Sequence, residues 1–220
     1  MSPIAARART AGLVAAIALC LVLPGCATPG RDEASWIVHT PIATPAAPAS
    51  ATPAAANGVI EDVPVAAPMH LSFPAAGIDG DIEEYTAADA AAAGGIDPAT
   101  LDTISWYSGV PDPMPGSDAR NTVYIFGHSW VEPAVFNGLK DVQRGDEATV
   151  TTAAGELVYK VVDTLTLAKG DFSDDPAVAA VVPGRLALVT CSRPDGWDPN
   201  AHAPDNTVVF LHLVAARAAD

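Results

Sequence analysis

In the C-terminal part of the chain, apolar residues come in short runs separated by clusters of Gly, Pro, Asp and Asn. Short runs rich in β-branched and aromatic residues mark strands. HLSFPAAGIDGDIEEY, from His70, predicts a strand, a Pro-Ala turn and a second short strand. TAADAAAA is built of helix formers and stops at Gly94-Gly95, which predicts a short helix. The stretch from Trp106 to Asn121 is dense in Pro, Gly and Asp and reads as a loop. Beyond it, NTVYIFGH (121–128) reads as a strand, and PAVFNGLKDVQRGD as one or two helical turns closing on Gly145. EATVTT and LVYKVVDTLTL flank an AAGE turn and predict a hairpin over 147–167. RLALVTC (185–191) and NTVVFLHLV (206–214) are the last two strands. Six or more strands with little helix predict a mainly β barrel or sandwich.

The N-terminal part carries no such pattern. MSPIAARARTAG holds Arg7 and Arg9 and no acid, and an apolar run follows over 13–25. That run is shorter than the ~20 residues a spanning helix needs, so it reads as the core of an export signal. It ends LPGC, with a small residue before Cys26. This ending resembles the lipobox of bacterial lipoproteins, which implies cleavage before Cys26 and diacylation of its sulfur, with the membrane as the anchoring partner. Residues 1–26 are thus a signal peptide. Residues 27–68, rich in Pro, Ala and Thr, form a tether that cannot bury enough surface to fold. A domain over 69–216 follows, held outside the cytoplasm at the membrane.

The formal net charge of −15 argues against nucleic acid as a partner. The cysteine count has a sharper consequence. Of Cys20, Cys26 and Cys191, the first leaves with the signal and the second is the lipid anchor, so Cys191 stands alone in an oxidising compartment. A leftover thiol of that kind is either reactive or a buried small hydrophobe. Cys191 ends one strand and His128 ends another. If the two strands are neighbours, imidazole and thiol converge, which is a standard way to make a sulfur nucleophile at neutral pH. His70, His202 and His212 show no metal spacing, and the acid pairs Glu83-Glu84 and Asp174-Asp175 lack the spacing of a cation loop. No metal and no cofactor are expected.

Several pieces in order resemble the sortases, cysteine transpeptidases of Gram-positive cell surfaces. HLSFPAAGID resembles their opening strand, TVYIFGHSW the strand that delivers the histidine, and FNGLKDVQRGDEATVTTAAGELVYKVV their Gly-Asp turn and hairpin. LALVTC resembles their Leu-x-Thr-Cys signature and DNTVVFLHL their closing strand. The pattern is most similar to the class F sortases of actinobacteria. The resemblance implies a closed β-barrel of about eight strands with short helices in the connections. It implies Cys191 as nucleophile and His128 as general acid and base. It also implies an LPXTG-type C-terminal sorting signal on exported proteins as substrate, and a cell-wall peptide or pilin amine as acceptor.

The family's third residue is an arginine at or just before the closing strand. Here that stretch reads AHAPDNTVVF, with Pro204 or Asn206 in the place. Arg193, two residues past the thiol, is the expected substitute, with Arg120 in reserve and Asn206 or a backbone N–H if neither reaches. Thr190 is expected to help position the reacting carbonyl. Trp130 and Trp197 are expected to line a groove for an apolar substrate segment. The missing arginine leaves a second reading open, a non-catalytic surface lipoprotein that uses the barrel as a binding module.

Overall fold

The computed structural model describes residues 58–198 and 201–219. The predicted strands are there, with two additions that the sequence pattern concealed. β1 (Pro68–Phe73) turns through a 3-10 segment (Pro74–Ala76) into β2 (Ile78–Tyr85). Helix α1 (Ala87–Ala93) starts with a capping box, in which Thr86 and Asp89 satisfy each other's backbone N–H, and stops at Gly94 in the left-handed conformation. β3 (Ile104–Tyr107) falls partly in the stretch expected to be a loop. It is only four residues long, too short for an alternation to show. It forms because it lies parallel to β2 and antiparallel to β4 (Val123–Phe126), with Trp106 buried.

A 3-10 turn over Asn137–Asp141 precedes the hairpin of β5 (Glu147–Thr152) and β6 (Gly155–Ala168). Residues 169–184, for which the sequence predicted nothing, hold a 3-10 turn (Lys169–Asp171) and the single-turn helix α2 (Pro176–Ala179). β7 (Arg185–Ser192) and β8 (Asp205–Ala218) complete a closed barrel in the order β1-β2-β3-β4-β7-β8-β6-β5. Closure leaves no unpaired edge. Among the described residues, no helix is long and apolar enough to cross a membrane.

Two apolar clusters explain why β7 and β8 read as continuous apolar runs. Leu186, Leu188, Val209 and Leu211 point into the barrel, where they meet Leu71, Phe73, Ile125 and Tyr159. The alternating partners Ala187, Val189, Val208 and Phe210 point outward, into a second cluster with Phe126 and Val178. Phe172, Leu165 and Leu167 pack against that outer cluster. Strands covered on both faces lose the polar-apolar alternation. The covering layer is residues 172–178, and Arg185 fastens it. The Arg185 guanidinium is buried, donates to Thr122 Oγ1 and to the carbonyls of Ala177 and Ala180 at 2.7–2.8 Å, and lies 4.6 Å from the Phe210 ring.

The last residues of the stretch read as a tether lie against the barrel. Ile60 bridges to Ala216, Val63 is fully buried, and the Val63 N–H donates to Ser117 Oγ. Single apolar residues among prolines were enough once the barrel offered a surface to cover. The expected signal peptide and the Cys26 anchor lie outside the described residues.

On the outside of β1, His70 sits between Asp81 (2.9 Å) and Asp79 (3.1 Å) of β2. Hydrogen bonds to Asp81 and then Asp79 raise the imidazole pKa above 6.5. A group whose folded pKa is raised stabilises the fold fully below its unfolded pKa. That contribution is lost as pH rises through the folded value. Both acids are well exposed, so the effect is expected to stay below ~0.5 kcal/mol. An NMR titration of His70 should give a midpoint above 6.5 that drops in Asp81→Asn. An unchanged midpoint in that variant would refute the assignment.

Candidate active site

β4 and β7 run parallel with Phe126 opposite Val189. Side chains two residues further along each strand share the same face. Cys191 therefore lies on the outer face that carries Val189, and His128, two residues past the end of β4, lines one cavity with it. Two hydrogen bonds hold the two strand ends together. The Gly127 N–H donates to Val189 O at 3.2 Å, and Thr190 Oγ1 donates to Gly127 O at 2.8 Å. Gly127 is required by close approach, because a Cβ there would stand 2.8 Å from the fully buried Phe136 ring.

A cavity of about 510 Å³ opens over this point. Its walls are residues 94–98, 126–128 and 189–191, with Lys169, Phe172, Ser173 and Asn206. The thiol of Cys191 is free and partly exposed. The His128 ring is mostly buried, and its Nε2 lies 2.8 Å from the carbonyl oxygen of Pro98. A carbonyl only accepts, so in the neutral ring Nε2 carries the proton and Nδ1 keeps the lone pair. Asp97 Oδ1 stands 3.7 Å from the same Nε2. The His128 carbonyl accepts from the Phe136 N–H at 2.9 Å, which fixes the backbone that carries the ring. The arrangement can take a proton from a thiol, hold it, and return it to a leaving amine.

The other expected residues divide. Thr190 lines the cavity and is buried. Arg193 does not line it. Its guanidinium carbon lies 4.3 Å over the Trp130 ring, and Nη1 donates to Ser129 O at 3.3 Å. The reason is local: the chain leaves β7 at Ser192, so Arg193 meets the loop that follows His128 instead of the face that carries Cys191. Trp130 is occupied by that stack, and Trp197 donates its indole N–H to His202 O, so neither tryptophan lines the cavity. Arg120 lies in a different hollow, beside Met114 and Asp118.

Arg193 thus joins the loop after the histidine to the loop after the cysteine. Replacing it by alanine is expected to cost about 1 kcal/mol of stability, from one stack and one hydrogen bond. Acyl transfer should fall less than about tenfold, against the 10²–10⁴ of a group at the reacting atoms. A loss beyond about a hundredfold in single-turnover assays would mean that the guanidinium turns into the cavity.

Sequence reasoning missed Ile96, Asp97 and Pro98, and Lys169, Phe172 and Ser173. All lie in connections whose position depends on strand order. The available signal was the Gly94-Gly95 stop, which ends α1 and sends the next residues across the barrel end. Among the described residues, no group of three His, Cys, Asp or Glu side chains is placed to hold a metal ion.

The family model for the sortase domain matches residues 73–214. Solved structures of similar fold include sortase A of Listeria monocytogenes, 14% identical with a TM-score of 0.50, the match covering 71% of this chain and 92% of that one. Another is sortase E1 of Streptomyces coelicolor with a tripeptide in its active site, 18% identical with a TM-score of 0.51, covering 72% and 94%. A third is the SrtA sortase of Actinomyces oris, 20% identical with a TM-score of 0.50, covering 75% and 89%. No curated protein sequence matches the chain.

Proposed function

The chain belongs to the sortase family, and on that premise we propose that it is an exported cysteine transpeptidase of the class F type. The observation that carries this reading is the pairing of His128 with Cys191 in one cavity, at the ends of two strands in parallel register. The substrate is an exported protein with an LPXTG-type C-terminal sorting signal, and the acceptor is an amine of cell-wall peptide or of a pilin. An N-terminal lipid anchor on Cys26 keeps the domain at the membrane surface.

Chemistry follows from the two side chains. His128 takes the thiol proton, and Cys191 Sγ attacks the carbonyl carbon of the Thr–Gly bond. The C–N bond breaks, the proton on His128 goes to the leaving amine, and a thioester remains on Cys191. The acceptor amine gives its proton to His128 as its nitrogen attacks the thioester, and the thiol forms again. The Pro98 carbonyl and Asp97 keep the ring oriented through the cycle.

The test is intact-mass measurement of the domain from residue 58 with an LPXTG-type peptide and triglycine. An acyl adduct on Cys191 and a ligated peptide are expected, both lost in Cys191→Ala. A thiol that forms no adduct and resists alkylation would refute the transpeptidase and favour the binding module.

A further inference from the structure

Attack of a thiolate on a carbonyl leaves a full negative charge on the former carbonyl oxygen. A site that accelerates this step has donors already aimed at that oxygen. Arg193 is engaged with Trp130 and Ser129, and neither lysine nor arginine other than Lys169 lines the cavity among the described residues.

Strand register supplies the donors. On the outer face, Phe126, Val189, Val208 and Leu165 lie in one cross-strand row. The next row, two residues nearer the cavity, is Cys191, Asn206 and Leu167, and His128 lines the cavity from just past the end of β4. Cys191 is directly opposite Asn206, and Asn206 is directly opposite Leu167. Lys169 comes two residues after Leu167, where the Lys169 N–H donates to Pro204 O at 3.0 Å and holds the end of β6 against the start of β8. Asn206 and Lys169 both line the catalytic cavity. Among the described residues, neither the Asn206 carboxamide nor the Lys169 ammonium has a hydrogen-bond or ion-pair partner. The cavity is therefore lined by a base, a nucleophile and a neutral donor side by side, with a cation two residues past Leu167.

From this arrangement we infer that Asn206 and Lys169 form the electrophilic side of the site. The Asn206 side-chain N–H donates to the oxyanion as it forms, and Lys169 supplies the charge that balances it. The inference rests on the transpeptidase reading of Cys191 and His128. As the Sγ–C bond forms, the carbonyl π pair moves to oxygen, while the thiol proton stays on His128. Collapse restores C=O, breaks the C–N bond, and returns that proton to the leaving amine. Donors fixed on β8 and at the end of β6 need no rearrangement during either step.

The experiment compares two probes of Cys191 on the same variants. 4-Nitrophenyl acetate acylates the thiol through an oxyanion, whereas iodoacetamide alkylates it by displacement at carbon, with no oxyanion. Neither probe needs recognition of a sorting peptide. Asn206→Ala removes the donor, and Asn206→Leu keeps much of the volume with no N–H and no added charge. Both are expected to slow ester acylation about a hundredfold. Lys169→Met should slow it about tenfold and Lys169→Arg should restore most of that, since a through-space charge is less exacting than a donor. Iodoacetamide rates should stay within about threefold of wild type throughout, because no charge develops on oxygen there. If the two probes move together, or if ester acylation is unchanged in the Asn206 variants, the assignment is wrong while the nucleophile stands. If wild-type Cys191 reacts with neither probe, the transpeptidase reading itself fails and takes this assignment with it.

Discussion

His128→Ala is expected to lower the rate of thioester formation by about three orders of magnitude, within the 10²–10⁴ that a positioned acid and base contributes. The ring lines the same cavity as Cys191, and its tautomer is set by the Pro98 carbonyl. Without it, the thiol must ionise by itself and the leaving amine must find a proton in water. The loss should appear in single-turnover acylation by an LPXTG-type peptide. Unfolding free energy should change little, because the ring's one hydrogen bond is to a loop carbonyl. Asp97→Asn should cost only severalfold in the same assay, since its exposed carboxylate is 3.7 Å away and screened by solvent. A His128→Ala enzyme that acylates within tenfold of wild type would remove the imidazole from the mechanism.

The second large effect is on stability. Arg185→Ala is expected to destabilise the fold by about 3 kcal/mol, because hydrogen bonds to a charged group contribute ~1.5–3 kcal/mol and orphaned buried acceptors add their desolvation cost. Thr122 Oγ1 and the carbonyls of Ala177 and Ala180 would lose their donor in a region that water does not reach easily. The covering layer would also lose its fastening to β7, so Val178 would cover the outer cluster less well. Urea unfolding measures the change. Arg185→Lys should recover little, because one ammonium cannot span acceptors that the planar guanidinium reaches together. A change below about 1 kcal/mol in Arg185→Ala would mean that the carbonyls find other donors and that the layer holds without it.

Both effects bear on the same region. The outer cluster beneath residues 172–178 adjoins the cavity that holds Cys191 and His128, since Phe126, Val189 and Phe172 belong to both.

The sequence alone determined what depends on neighbours along the chain. The hairpin around 153–154, helix α1 with its Gly94 stop, and the strands leading to His128 and through Cys191 follow from local pattern and turn residues. Cys191 and His128 stood out as candidates because a lone thiol and a histidine each close an apolar run. Their meeting was not legible, because parallel pairing of β4 with β7 joins segments separated by the whole β5–β6 hairpin. For the same reason β3 was hidden: four residues carry no period, and only pairing on both sides made them a strand. Arg193 was favoured for its nearness to Cys191 in sequence. Asn206 is nearer in the fold, because an antiparallel partner sits about 5 Å across the ladder while a loop residue leaves the sheet. Chain proximity thus set the elements, and register decided which side chains share a cavity.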